Sequence, residues 1–499
     1  MLEARPCLLR DPGVCRLTNQ NFIPRPAAEA QVQAHSNELR KELGLFDLVM
    51  AQILLVIVLD FFGTAARAGA AHVAFWLAAF VFFFIPLALV VAHLNRWMPL
   101  EGGLYEWARL AFGDQIGFLV AWNLWLFVTL YVAVIGLVTT SFAAYALDPA
   151  AEWIASNRWV ILGVSLSLIA AMMFLTALGL RVGKWLGNAG SIATLLTLGL
   201  LIATPLMSRW RGSLAEYHPL RLVMPSFTIL SLSVFTKMMF GALSGFEYVA
   251  IFAGECRNPS RNLTRSVLIT APFIALIYIF ATSSILAFVP PDIVDVVAPI
   301  PQALRLGLHG FRMAGVIIPL AILLLFVNYP TSFSVYFSAS ARLPMVAGWD
   351  HLLPDWFTRL HVRYKTPVNS ILFLGAVTLA GSAAALVGVG PREAYELLLT
   401  WSFTFYAIAY LALFAIPLLA PNARGLRPPW WLRTAAISGF LMTLLYIVLS
   451  IFPIIDVESS WGYSLKVTGV VFGANLTGWL IYRAAGSRSG SGVPKAEIP

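Results

Sequence analysis

The chain has 499 residues, of which 59% are hydrophobic and 11% are charged, and its formal net charge is +9. A soluble domain is typically about 45–50% apolar and about 25% charged, and soluble cores stop growing near about 250–300 residues. The composition therefore excludes a soluble globular protein and indicates a chain whose apolar surface faces lipid.

The apolar residues come in blocks about as long as a membrane-spanning helix, which needs about 20 apolar residues. Twelve blocks, called segments 1–12, lie at residues 46–68, 73–97, 115–147, 159–180, 188–207, 226–253, 266–289, 312–342, 368–389, 394–420, 433–453 and 462–483. They lack the period-two alternation of barrel strands. The sequence predicts an all-α polytopic membrane protein with twelve transmembrane helices.

Charge predicts the orientation of these segments. Of the 33 Lys and Arg residues, 23 fall on the side of the N-terminus and nine on the other, with Lys237 inside a segment. Positive charge stays cytoplasmic, so we expect a multi-pass protein of the cell membrane with both termini in the cytosol. Residues 1–43 and 485–499 are predicted to be cytosolic tails, the first of them disordered. The basic balance follows from topology and anionic headgroups, so no nucleic-acid partner is expected.

Two segments are interrupted at matching places. Asp60, Gly63 and Thr64 break the apolar run of segment 1, and Gly241 to Gly245 break that of segment 6. Interrupted helices at corresponding positions of two halves indicate an inverted-repeat transporter, although small residues also occur where helices merely pack closely. Five segments precede segment 6. The predicted division is therefore a first repeat at 44–210, a second repeat at 211–420 and two further helices at 421–484.

Three stretches beside the apolar segments carry recognisable motifs. Residues 98–123 contain a Pro–Gly-Gly–Tyr–Trp–Ala-Phe-Gly pattern after segment 2. Residues 241–267 contain a small-Gly-Phe-Glu core followed by Asn-Pro and Arg-Asn, and residues 338–371 contain Ser-Ala-Arg, Leu-Leu-Pro and Thr-Pro-Val-Asn. In this order, the three stretches resemble the amino acid–polyamine–organocation superfamily. The spacing within segment 1 is nearest to the glutamate/GABA-exchanger branch of that superfamily.

The resemblance implies a leucine-transporter-type fold, a 5+5 inverted repeat followed by two helices. It also implies a substrate held between the broken segments 1 and 6 and segments 3, 8 and 10. The substrate-binding positions carried over in this way are Asp60, Phe62, Gly63, Thr64, Phe240, Gly241, Ser244, Gly245, Ser332 and Tyr336. The two breaks are expected to leave free backbone groups at Asp60–Thr64 and Gly241–Gly245.

The chain departs from the superfamily pattern at two further places. The gating aromatic of segment 6 is replaced by Gly241, with Phe240 one place early. Segment 5 has no lysine between Trp185 and Ser208, where many sodium-independent members carry one. We expect proton coupling or pure exchange rather than sodium coupling.

Charged residues inside a span are costly and are functional candidates by default. Asp60 is expected to bind substrate or a proton, or else to pair with Lys237. Lys237 and Glu247 are assigned to coupling and gating, with two alternatives: Lys237 extends its ammonium toward water, and Glu247 favours a helix N-terminus. Trp125 and Tyr406 either line the site or pack. Loop carboxylates and arginines are expected to pair at the cytoplasmic gate: Glu101, Glu255, Arg257, Asp350 and Asp355.

The predicted function is secondary active transport of amino acids or related amines and polyamines by alternating access. The alternatives are a channel or a non-transporting nutrient receptor on the same fold, and a polytopic membrane enzyme. The seven histidines are scattered without metal-ligand spacing, so neither metal nor cofactor is expected. The expected partners are a small amine or amino acid, the bilayer and protons.

Overall fold

The computed structural model describes most of the chain between the two termini. The described residues are 41–98, 100, 102–147, 151–345, 353–362, 364, 366–387, 389–419, 428–455, 457 and 459–489. The two predicted tails lie mostly outside this part. At their inner ends, Leu43 forms a parallel bridge with Cys256, and the last helix continues to Ser489.

The described part of the chain is helical and its helices follow the order of the predicted segments. We number the helices of these segments α1 to α12. The first and the sixth have two halves, a and b, and α6b is a 3₁₀ helix. Shorter helices at Leu104–Phe112, Glu152–Ser156 and Pro299–Gly307 lie in the connections. The bounds of the numbered helices are α1a Leu45–Val56, α1b Phe61–Ala66, α2 Gly69–Trp97, α3 Asp114–Leu147, α4 Arg158–Ala177, α5 Leu180–Trp210, α6a Ile229–Leu243, α6b Tyr248–Glu255, α7 Pro259–Leu286, α8 Ala314–Ser340, α9 Val368–Ala385, α10 Pro391–Leu419, α11 Trp430–Ser450 and α12 Ser460–Ser489. Two of these contain irregular turns, a π turn at Phe80–Phe84 in α2 and a short interruption after Val132 in α3.

Ten described helices are long and apolar enough to cross a membrane, which makes the chain an all-α polytopic membrane protein. The count of twelve spans also requires the two halves of α1, of which α1a has only 12 residues, and α12. The run Gly-Ala-Asn-Leu-Thr-Gly at 473–478 dilutes the hydropathy of α12. This run packs on α3, where the Trp122 indole donates to the Ala474 carbonyl at 2.9 Å.

The breaks in α1 and α6 exist, but the expected positions were wrong by about one turn. In segment 1 the chain leaves the helix over Ile57–Asp60, and Phe61 to Ala66 are helical. In segment 6 the break runs from Ser244 to Glu247, while Gly241 remains within α6a.

Packing explains why small residues were a poor guide to the positions of the breaks. A Cβ atom on Gly63 would lie 2.9 Å from the Val296 Cα atom, and one on Gly241 would lie 2.0 Å from the Phe61 ring. At both positions only glycine fits, because another group occupies the space beside the helix. Gly245 is the exception, because its φ of +122° is a conformation that favours glycine at the break itself.

Helix packing gathers the two breaks at the centre of the bundle. α10 lies along α3, α5 along α8, and α1a between α5 and α7. The half-helices α1b and α6a contact each other. Side chains from α3, α7, α8 and α10 therefore surround the two unwound stretches.

Candidate functional site

Hydroxyl groups of α7 and α8 satisfy the backbone at the break in α1. The Tyr278 hydroxyl accepts from the Val58 amide at 2.9 Å and lies 2.8 Å from the Val56 carbonyl oxygen and 2.7 Å from that of Ala242. Its single proton serves one of those two carbonyls at a time. Tyr278 therefore links the end of α1a to the end of α6a.

The two predicted positions in α8 lie at the same break. The Ser332 hydroxyl donates to the Leu54 carbonyl at 3.2 Å, and the Tyr336 hydroxyl donates to the Leu55 carbonyl. Both side chains are buried. In this arrangement they occupy carbonyl groups that the unwound chain would otherwise offer to a ligand.

Asp60 is the N-cap residue of α1b and is 1% exposed. Three tyrosine hydroxyls donate to its carboxylate: Tyr395 at 2.9 Å, Tyr131 at 3.0 Å and Tyr329 at 3.4 Å. They come from α10, α3 and α8 respectively. No sequence pattern singles out these three, because tyrosines are common in the chain and helical periodicity does not select among them.

Glu247 follows the same pattern at the break in α6. It is 1% exposed, and its two carboxylate oxygens accept from the hydroxyls of Tyr406 and Tyr410 on α10. The Tyr410 hydroxyl also accepts from the Gly245 amide at 2.9 Å. Glu247 occupies the N-cap position of α6b, and its side chain forms no capping hydrogen bond there. Among the described residues no Lys, Arg or His forms an ion pair with Glu247 or Asp60.

The alternative in which Lys237 pairs with Asp60 is wrong. The Lys237 ammonium lies 3.6 Å from a Glu396 carboxylate oxygen and donates to the Thr400 hydroxyl at 3.2 Å. Lys237 is 4% exposed, so its ammonium does not reach water either. Glu396 and Thr400 are one turn apart on α10, and no sequence pattern singles out this acceptor pair.

The aromatic side chains of the two broken helices are arranged differently from the expectation. The Phe61 ring fills the space beside Gly241 and contacts the Phe403 ring edge-on, with 4.8 Å between ring centroids. Phe240 stacks on Tyr446 at 4.6 Å, and Phe62 lies 5.0 Å from Tyr278. The aromatic group missing at position 241 is thus supplied by segment 1.

A chain of rings connects the two carboxylates. Tyr131, which binds Asp60, lies 5.6 Å from the Phe127 ring, and Phe127 stacks on Tyr406, a ligand of Glu247, at 4.1 Å. Tyr336 lies 5.4 Å from Tyr131, edge-on to it. Tyr406 thus contacts Glu247 and lies on this chain of rings.

Three other predicted residues make packing contacts or are simply buried. Trp125 stacks between Trp122 and Phe373, away from both carboxylates. Gly63 lies against Val296, and Thr64 is buried one turn after Asp60 in α1b.

Two cavities flank this centre. At the predicted extracellular end, a cavity of about 560 Å³ is lined by polar residues that include Tyr145, Glu152, Asp295 and Arg392. At the predicted cytoplasmic end, a cavity of about 60 Å³ lies between α1a, α5 and α8. The Val296 segment covers Gly63 between the outer cavity and α1b.

The predicted cytoplasmic end is held by an ion pair and a backbone bridge. Arg342 donates to Glu255 at 3.1 Å, and its guanidinium lies 5.1 Å from the Phe252 ring. The Leu43 amide donates to the Glu255 carbonyl at 3.1 Å. Of the loop residues expected to pair there, Glu101 and Asp350 lie outside the described residues, and Arg257 bonds backbone carbonyl groups instead, including that of Lys41 at 3.3 Å.

Comparison with known proteins identifies the family. The model of the amino acid permease family matches residues 43–473. A probable agmatine/putrescine antiporter of Lactococcus lactis is 24% identical over 51% of this chain and 53% of its own length. The methylthioribose transporter of Bacillus subtilis is 23% identical over 76% of this chain and 84% of its own length. A low-affinity putrescine importer of Escherichia coli is 25% identical over 72% and 79%.

These matches set aside the enzyme alternative, because the family and the relatives are permeases, importers and antiporters. The glutamate/GABA-exchanger branch stays a prediction. The chain belongs to the amino acid permease family, and it is a multi-pass membrane transporter.

Proposed function

We propose that the protein moves a small amine or amino acid across the cell membrane by alternating access, and that Asp60 binds the ammonium group of the substrate. The observation that carries the proposal is a buried carboxylate with three hydroxyl donors and no ion-pair partner among the described residues. An ionised carboxylate in a low-dielectric interior requires a cation, hydrogen bonds or a proton.

The Asp60 carboxylate has hydrogen-bonding capacity for a further donor. A carboxylate offers about four lone-pair positions, and three tyrosine hydroxyls occupy positions on Asp60. The Tyr329 hydroxyl, at 3.4 Å, is the longest of the three contacts and the easiest to displace. A substrate ammonium can therefore bind without first breaking an ion pair.

The aromatic surroundings suit the same ligand. An ammonium within about 6 Å of an aromatic centroid is attracted by about 0.5–2 kcal/mol, depending on its desolvation. Phe127, Tyr131 and Tyr336 form a continuous aromatic wall between Asp60 and Glu247. Glu247 offers a second carboxylate for a substrate with a second amino group or for a proton.

The named relatives support an amine more than a neutral solute, because two of the three are named for putrescine. The third is named for methylthioribose, a neutral sugar derivative. Asp60 favours the amine over the neutral solute. Its carboxylate has no cationic partner among the described residues, and a substrate ammonium would supply one.

We further propose that transport is coupled to protons or proceeds by exchange. When no amine is bound, a proton is the simplest neutralising partner for Asp60. The proposal also retains the 5+5 division of the helices, with both termini in the cytosol and the larger cavity at the extracellular end.

The experiment is uptake by the purified full-length chain in liposomes. Vesicles preloaded with unlabelled putrescine, agmatine or one amino acid are given the labelled compound outside, and Asp60→Asn serves as the matched variant. Accumulation that saturates and that Asp60→Asn abolishes supports the proposal. Binding without accumulation, measured as thermal stabilisation, assigns the non-transporting receptor instead.

A further inference from the structure

Lys237 joins three helices at a point that substrate binding alone does not explain. Its ammonium lies 3.6 Å from Glu396 and 3.2 Å from the Thr400 hydroxyl, both on α10. It also lies 5.8 Å from the ring of Tyr463 on α12, whose hydroxyl is 2.9 Å from that of Thr400. The outer half-helix α6a is thereby tied to α10 and α12.

Tyr395, the residue next to Glu396, binds Asp60, the carboxylate that we propose holds the substrate ammonium. Tyr395 donates to Asp60 at 2.9 Å, the shortest of the three hydroxyl contacts. Neighbouring residues of an α-helix point about 100° apart, so α10 presents Tyr395 to α1b and Glu396 to α6a. A rotation of α10 about its axis moves both contacts together.

Two ends of this arrangement are fixed to the broken helices. Lys237 is one turn before Gly241, and the Phe61 ring packs beside Gly241 one residue after Asp60. The same Phe61 ring touches Phe403 of α10. The ion pair and the Asp60 cluster therefore share α1b, α6a and α10, and a change at one alters the geometry at the other.

The cost of the ion pair indicates more than packing. A charge in the middle of a span is expensive, and replacing a buried ion pair by apolar residues of similar volume is often neutral or stabilising. An apolar pair packs without a preferred angle. A salt bridge that also bonds a hydroxyl group is directional, and it fixes the rotation of one helix relative to another.

We propose that Lys237 and Glu396 are positioning residues that hold the Tyr395 hydroxyl on Asp60 and so set the affinity for the substrate ammonium. This inference rests on the proposed function of Asp60. It predicts that loss of the pair raises the half-saturation concentration of transport, and that this effect requires the Tyr395 hydroxyl.

The test uses a variant without an unpaired buried charge. Lys237→Met combined with Glu396→Gln is compared with the parent protein, each with Tyr395 and with Tyr395→Phe, in putrescine and amino acid exchange in liposomes. The matched control is Lys466→Gln with Glu393→Gln, which removes a partly exposed ion pair of 2.8 Å between α10 and α12. Gel filtration and the thermal midpoint check that each variant folds.

We expect the neutral pair to raise KM about tenfold, the effect of losing one hydrogen bond to a charged group, with the maximal rate changed less than about twofold. In the Tyr395→Phe background the neutral pair should add no further increase, because the hydroxyl it positions is absent. The control should leave KM unchanged.

The inference is overturned if the neutral pair leaves KM unchanged, or if its effect is equally large with and without the Tyr395 hydroxyl. A neutral pair that fails to fold also contradicts it, because the ion pair would then be required for stability. Failure of the proposed function is a separate result: Asp60→Asn would then transport the same substrate with unchanged KM, and both proposals would fall.

Discussion

The Phe61 ring occupies the place of a side chain at Gly241. A Cβ atom built on Gly241 would lie 2.0 Å from the Phe61 Cζ atom, far inside van der Waals contact. Phe61 is itself buried and held edge-on by Phe403. The two broken helices therefore fit together through one large and one absent side chain.

Gly241→Ala should destabilise the protein. The added methyl group forces the Phe61 ring out of its position, and overpacking of a core typically costs about 1–3 kcal/mol. We expect a lower thermal midpoint of the detergent-solubilised protein and a loss of transport, with partial recovery of both on adding Phe61→Leu. Gly199→Ala is the matched control, because nothing lies within 4 Å of a Cβ atom at that helical glycine. Equal midpoints for the two alanine variants would show that the contact does not constrain the helices.

The three tyrosines on Asp60 should differ in importance. Tyr395→Phe removes a contact of 2.9 Å, and Tyr329→Phe removes one of 3.4 Å. Because the strength of a hydrogen bond falls with distance, Tyr395→Phe should raise KM by about tenfold and Tyr329→Phe by less than about threefold. The reverse order in transport kinetics would contradict the assigned geometry of the carboxylate.

Cys256 can report opening of the predicted cytoplasmic end. It is 1% exposed and lies in the bridge with Leu43, next to Glu255. Arg342→Gln leaves the Glu255 carboxylate buried without its ion pair, which favours local opening of this end. In a chain with Cys7→Ser and Cys15→Ser, we expect labelling of Cys256 by a maleimide to become about tenfold faster, equivalent to about 1.4 kcal/mol.

The control for this labelling is Lys466→Gln, which removes an ion pair at the opposite predicted end of the bundle. Unchanged labelling in Arg342→Gln would mean that the Leu43–Cys256 bridge closes this end without the ion pair.

Hydrophobic patterning predicted which segments form helices and which two are broken, because these properties depend on residues close in the chain. Ser332 and Tyr336 lie at the break in α1, and their role in substrate binding stays a prediction. The distance of these two residues from the end of segment 8 can be counted along one helix. The resemblance to a known superfamily supplied the pairing of these positions with segment 1.

Contacts between distant segments could not be derived in the same way. The sequence allowed Lys237 to pair with Asp60 or to extend toward water, whereas its partner is Glu396 in segment 10. Small residues were interpreted as breaks, although Gly63 and Gly241 serve as contact surfaces for Val296 and Phe61. Only a three-dimensional arrangement distinguishes a glycine that frees the backbone from one that admits a neighbour.

Coupling should not require sodium. Asp60 and Glu247 carry hydroxyl donors, and each can be neutralised by an amine or a proton. We expect uptake of labelled substrate to persist when potassium replaces sodium on both sides of the vesicles, and to increase with an inward proton gradient or a preloaded amine. Strict dependence of uptake on a sodium gradient would contradict this coupling.

The most direct measurement compares Asp60→Asn with the parent protein for two ligands of similar size, one with an amino group and one without. The readouts are binding, as the shift of the thermal midpoint, and exchange in liposomes. If Asp60 binds the ammonium, the parent protein prefers the amine and transports it, and the variant folds but loses at least about tenfold in affinity for the amine only. An Asp60→Asn protein that binds and exchanges the amine with unchanged affinity would contradict the account.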